Sequence, residues 1–259
     1  MSMESEEQLA EGSLVSHLVE LRSRLIRSAL SILLIFVCLI PFAEQTFTIV
    51  ATPLMERLPE NATMIATQVA SPFLTPFKTS LFVAVFLSMP VILYQVWGFI
   101  APGLYRKEKR FASPLLISSI VLFYSGVAFA YFVVFPLMFG FFAAVSPEGV
   151  TMMTDISSYL DFILTIFFAF GLAFEVPIAT VMLVWSGLVS LEVLGKARAY
   201  VFLGAFVMGM LLTPPDAISQ TLLAVPVYLL YEAGLILAKV LGKQDDVSAN
   251  ADKSDSTDI

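Results

Sequence analysis

The chain is poor in the residues from which most enzymes and metal sites are built. Its 259 residues include one cysteine, Cys38, and one histidine, His17. A disulfide within the chain needs two cysteines, and the usual transition-metal sites lack their ligands, so no metal is expected. His17 precedes the first apolar run, which leaves an intramembrane Ser/His protease without a base at membrane depth, and HExxH is absent. The phosphate loop G-x-x-x-x-G-K-[ST] is missing too, since "LGKARAY" lacks the first glycine and the hydroxyl. No enzyme and no cofactor are expected, and the energy for any work must come from elsewhere. Charge is also scarce, at 14% of residues, against 58% hydrophobic residues and a mean hydropathy of +0.89. A single water-soluble core could not hide that much apolar surface, so the chain reads as an all-α integral membrane protein.

The net charge of -7 comes largely from the two ends, "MESEEQLAE" and "QDDVSANADKSDSTDI". Residues 1–12 and the acidic tail 244–259 read as solvated and disordered, flanking a membrane domain at 13–243. The acidic start has no small-residue cleavage pattern, so the first apolar run is expected to stay as a helix. A helix needs about 20 apolar residues to cross hydrocarbon, and six stretches qualify or nearly do: 25–43, 79–100, 114–142, 159–185, 200–212 and 217–238. An even number puts both termini on one side. Arg22, Arg24, Arg27, Arg106, Lys107, Lys109, Arg110, Lys196, Arg198, Lys239, Lys243 and Lys253 fall on that side, and only Arg57 and Lys78 on the other, so both termini are expected in the cytoplasm. Between Arg198 and "TPPD" the fifth stretch has about 14 residues, roughly 21 Å against a core of about 30 Å. The fifth and sixth read as a short hairpin, with Asp216 placed to cap the sixth helix. Residues 44–77, carrying Pro53, Pro59, Pro72 and Pro76, read as a periplasmic cap.

Four places stand out. Glu175 lies inside "FGLAFEVPIATVML", where an acid at a helix centre costs about 3 kcal/mol on insertion scales and usually faces a partner or a wet cavity. Two residues on, Pro177 deprives the Ala173 carbonyl of its donor and predicts a kink and a polar notch. The bland alternative is a neutral acid hydrogen-bonded within the bundle, to Gln95 or Gln220. In "LYRKEKR", Glu108 sits among four bases, either as part of a snorkelling, topology-fixing helix end or as a binding carboxylate. Ahead of the first span, Leu14, Leu18, Leu21 and Leu25 share a face, which predicts an amphipathic surface helix over 13–24. Its Glu20 can pair with Arg24 one turn on, or can join Glu108 in binding guanidinium groups. The basic clusters are short and sit at helix ends, so no nucleic acid is expected as a partner.

The motifs "HLVELRSRL", "ATPLMERLP", "ASPFLTPFK", "PVILYQVWGFIAPGLYRKEKR", "FGLAFEVP" and "LLTPPDAISQ" occur in this order from about Ser13 to Lys243. Together they closely resemble the TatC family of twin-arginine translocase subunits. The resemblance implies six transmembrane helices, both termini inside, and a concave, glove-like bundle in the bacterial inner membrane. It implies a receptor for twin-arginine signal peptides of folded precursors, working with TatA and TatB in a hetero-oligomer with several TatC copies, driven by the proton-motive force. By matching motif, Glu108 and Glu20 would meet the signal-peptide arginines, Arg22 and Phe99 would belong to the same site, and Glu175 would be the acid near which partner helices dock. Pro53, Pro177 and Asp216 would be structural or partner-side positions. The rival reading is a small proton-coupled secondary transporter using Glu175, which the lack of paired broken helices disfavours.

Overall fold

The computed structural model of the chain describes residues 3–55, 63–100, 112–145, 153–212 and 217–255, with side chains described only within 16–240. Hydrocarbon offers no partner to a backbone N–H or C=O, and a helix bonds all of them within its own segment. Among the described residues, five segments are long and apolar enough to cross a membrane: Ser16–Thr52, Ser71–Ile100, Ser113–Phe142, Ile156–Trp185 and Ala217–Val240. Two compact units are present, one formed by Met1–Glu56 with Ala66–Gly103, the other by Arg57–Ile65 with Leu104–Ile259.

In the first unit, α1 (Met3–Leu39) and α2 (Ala43–Met55) both pack on α3 (Ser71–Ile100). A 3₁₀ turn at Ile40–Phe42 separates α1 from α2, and Pro41 accounts for it by denying the helix a backbone donor. The start of α3 tolerates Pro72, because N–H groups of a first turn are unsatisfied in any case. Further along α3 two buried hydroxyls bond back to the helix itself: Thr79 to the Thr75 carbonyl at 2.9 Å and Ser88 to that of Ala84 at 2.7 Å. These two hydroxyls are thereby satisfied without a partner from the lipid, whereas the buried Thr75 hydroxyl has none among the described residues.

The second unit holds the remaining elements. The third span is α4 (Ala112–Phe129), a π turn (Ala130–Val134) and α5 (Phe135–Val145). The fourth is α6 (Ile156–Ala173) and α7 (Val176–Trp185), followed by α8 (Leu191–Lys196), α9 (Arg198–Leu212) and α10 (Ala217–Asp255). Asp155 caps α6, accepting from the Ser157 and Ser158 N–H groups at 3.1 and 3.0 Å. It also ends β2 (Met153–Asp155), which pairs in parallel with β1 (Thr63–Ile65). Inside a bilayer, helices associate through close packing of small residues rather than through expulsion of water. A Cβ on Gly126 of α4 would collide with the Phe170 carbonyl oxygen of α6 and stand 2.9 Å from the Phe174 ring, while one on Gly234 of α10 would stand 2.8 Å from Pro177 Cα of α7.

Several expectations change. The segment 1–12 and the amphipathic helix 13–24 run unbroken into the first span as α1, consistent with the strong helix formers Glu, Gln, Leu and Ala in "MESEEQLAE". The stretch 44–77 is not a plain loop: it holds α2, β1 and the start of α3, eight residues ahead of the predicted Thr79. The sixth helix is not short, since α10 continues to Asp255 with no breaker after Ala238. Only α9 falls below spanning length; its 15 residues rise about 22 Å.

The contact at Gly126 generates a test. Val at this position meets backbone that cannot step aside, so Gly126→Val is expected to cost about 1–3 kcal/mol. Thermal unfolding in detergent should show a lowered midpoint; an unchanged midpoint would mean that α4 and α6 do not approach as described.

Candidate functional site

Glu175 occupies the break between α6 and α7. The Glu175 N–H bonds the Leu172 carbonyl at 3.0 Å, a tightened turn, and Pro177 takes the second position of α7, where its missing N–H is tolerated. The predicted interruption is therefore present. Pro177 itself is buried, packed beside Gly234. The Glu175 carboxyl accepts a hydrogen bond from Ser119 of α4, a residue to which the sequence analysis gave no weight. Gln220, one of the two glutamines considered as its partner, packs against Gly209 of α9. The second oxygen, Oε1, is buried and has no partner among the described residues. A buried oxygen left in this state is costly.

In the first unit, α1 and α3 assemble a different set. Glu20 and Arg24 pair one turn apart: Nε and Nη2 of Arg24 donate to Glu20 Oε1 at 3.0 and 2.6 Å. His17, one turn before Glu20, stacks on Phe99 of α3 with ring centroids 4.3 Å apart. Gly98 lies against the Arg24 guanidinium. Gln95, one turn before Phe99, is 8% exposed and buries Oε1 with no partner among the described residues. The structure thus brings Glu20 and Phe99 into one neighbourhood, with Arg22 exposed on the same helix as Glu20. Sequence reasoning assigned nothing to His17 and did not single out Gly98. Only the contact across α1 and α3 reveals them.

A third cluster escaped the sequence analysis. Glu232 of α10 accepts from Arg198, whose Nε and Nη2 lie 2.6 and 3.0 Å from its oxygens, and from the Tyr228 hydroxyl at 2.9 Å. The Tyr231 hydroxyl donates to the Leu194 carbonyl of α8 at 2.7 Å. The pair joins the first residue of α9 to α10 fifteen residues after Ala217, matching the fifteen residues of α9. An acid near the end of an apolar run was the available signal, in "LLYEAGL".

Glu108 and Asp216 lie outside the described residues, and Pro53 falls within α2 with its side chain outside them. No group of three or more His, Cys, Asp or Glu able to hold a metal occurs among the described residues. A cleft of about 250 Å³ between the π turn and α10 is lined by apolar side chains and Thr221, with no acid among them.

Residues 16–226 match the family model for the Sec-independent protein translocase protein TatC. The chain belongs to the TatC family. It is 61% identical to the TatC protein of Azotobacter chroococcum mcd 1 over 92% of this chain and 93% of that one. The TatC protein of Escherichia coli K12 is 53% identical over 87% of this chain and 88% of its own length. Among solved structures, the crystal structure of a twin-arginine translocase receptor TatC matches with a TM-score of 0.78 at 39% identity, covering 86% of this chain and 98% of that one. TatC membership makes the chain a multi-pass membrane component of a protein translocase and not an enzyme.

The orphaned oxygen of Glu175 sets an expectation for this TatC chain. Glu175→Gln keeps an acceptor for Ser119 and should leave both folding and export close to wild type. Glu175→Ala removes the polar notch and should cut export of a reporter at least severalfold while signal-peptide binding persists. A Glu175→Ala protein that is degraded instead of inserted would make the acid structural.

Proposed function

We propose that the chain is the signal-peptide receptor and core subunit of a twin-arginine translocase, exporting folded proteins across the bacterial inner membrane with the proton-motive force. The match to the TatC family over most of the chain carries the reading. The chemistry fits it. A guanidinium is planar, always charged and presents paired donors, so a carboxylate at a reachable helix end is its natural partner. Glu20 is such a carboxylate, 37% exposed even while bonded to Arg24. Glu108, in "RKEKR", supplies the second acid, with Arg22 and Phe99 at the rim of the site. Six spans with both termini in the cytoplasm fit the charge bias of the loops, with α9 as a fifth, short span beside the five longer ones.

TatA and TatB are the partners on this reading, in an assembly with several copies of the chain. Glu175 offers its unpartnered oxygen to a polar group of a partner helix. Pro53, Pro177 and Asp216 shape the elements around these contacts. The Arg198–Glu232 pair holds a charged layer about 22 Å from the far end of α9, which favours a locally thinned bilayer at this hairpin. The secondary-transporter alternative has less support, because Glu175 does not line the apolar cleft of the second unit.

The reading is tested by photo-crosslinking from a probe at Lys107, beside Glu108, to a signal peptide bearing Arg-Arg, with Lys-Lys as the control. The expected crosslink needs Arg-Arg and falls about tenfold or more with Glu108→Gln, the scale of one charge-assisted hydrogen bond. An undiminished crosslink in that variant would remove Glu108 from the site.

A further inference from the structure

The Glu20 carboxylate already holds a guanidinium. Arg24 delivers Nε and Nη2 to the same oxygen, Oε1, so Oε2 receives neither bond. The arginine side chain is 21% exposed and the acid 37%, which leaves the acid the more reachable of the two. Arg24 is seated against Gly98 of α3, where an added Cβ would collide with Nη1 and stand 3.0 Å from Cζ and 3.3 Å from Nη2. That seat exists because residue 98 has no side chain. The obstacle would meet the tip of a flexible arginine and not backbone, so a methyl at this position displaces the guanidinium and leaves the helices in place. The ring pair His17 and Phe99 adjoins the same spot, one turn before Glu20 and one residue after Gly98.

We propose that Arg24 is a resident competitor at the Glu20 carboxylate, which a signal-peptide arginine displaces and a lysine displaces poorly. The inference rests on the receptor reading above and names what sets the affinity threshold of that site. An (i, i+4) ion pair at a part-exposed helix position is weak, which makes it exchangeable. An incoming guanidinium matches the departing one donor for donor and can begin at Oε2. An ammonium brings one compact, strongly hydrated charge and cannot reproduce the paired donors. The cost of evicting Arg24 is common to both ligands, so the resident arginine raises the threshold that either must exceed, and the bonds newly made discriminate between them.

The test uses the full-length chain assembled with its partner subunits in membranes, and fluorescent signal peptides carrying Arg-Arg or Lys-Lys. Arg24→Gln removes the competitor, and Gly98→Ala unseats it with the charge retained, so the two variants separate displacement from a general change in local charge. Each is expected to tighten Arg-Arg and Lys-Lys peptide binding alike, by about fivefold, on the scale of a part-exposed ion pair. Glu20→Gln is expected to weaken Arg-Arg binding and to abolish the gain from Arg24→Gln in the double variant. If Glu20→Gln weakens binding while Arg24→Gln and Gly98→Ala leave it unchanged or weaker, the resident competitor is refuted and the receptor reading stands. If Glu20→Gln has no effect in any background, Glu20 is not in the site and the inference falls with that assignment.

Discussion

Hydrocarbon supplies no hydrogen-bond partner, and the rest of this structure answers that constraint. The backbone meets it by being helical along the spanning segments, apart from the break at Phe174 and Glu175 in the fourth. Hydroxyls meet it by bonding back one turn, as Thr79, Ser88, Thr180 and Thr221 do. Ions meet it by pairing, as Arg198 does with Glu232. Against that background the half-buried Glu175, like Gln95 of the first unit, departs from the rule by burying an oxygen that has no partner among the described residues. Glu175 has Ser119 for one bond and nothing for Oε1 among the described residues.

The same constraint shapes the packing. Helices in lipid gain little from hiding apolar side chains from one another, so contact depends on how closely backbones approach. Gly126 against the Phe170 carbonyl and Gly234 against Pro177 Cα are close backbone approaches in the second unit. Pro177 therefore has two roles: it interrupts the fourth span beside Glu175, and it provides the surface on which Gly234 seats α10. The acid's position and the helix packing are consequences of one local break.

Much of this was legible in the sequence, for identifiable reasons. Apolar runs of spanning length report their fate directly, and Pro177 marks an interruption because it carries no donor. The Glu20–Arg24 pair was readable because four residues make one helical turn. What was hidden lies in contacts between distant segments. Ser119 has no special neighbours in sequence, Arg198 and Glu232 are 34 residues apart, and His17 meets Phe99 only when α1 packs on α3. The helix α2 was missed because Pro53, Pro59, Pro72 and Pro76 read as loop signals, whereas Pro72 falls in the first turn of α3, where proline is tolerated. The continuation of α10 to Asp255 was missed because acidic composition says little about helicity once a helix is already running.

On the proposed function, the few polar groups of this translocase receptor serve recognition and assembly. The most direct measurement is export of a folded fluorescent reporter in a bacterium lacking its own TatC and supplied with this chain and its cognate TatA and TatB. The account predicts periplasmic fluorescence when the reporter carries an Arg-Arg signal peptide and its loss when Lys-Lys replaces the pair. A correctly inserted chain, with both partners present, that exports neither reporter, or exports both equally, would contradict it.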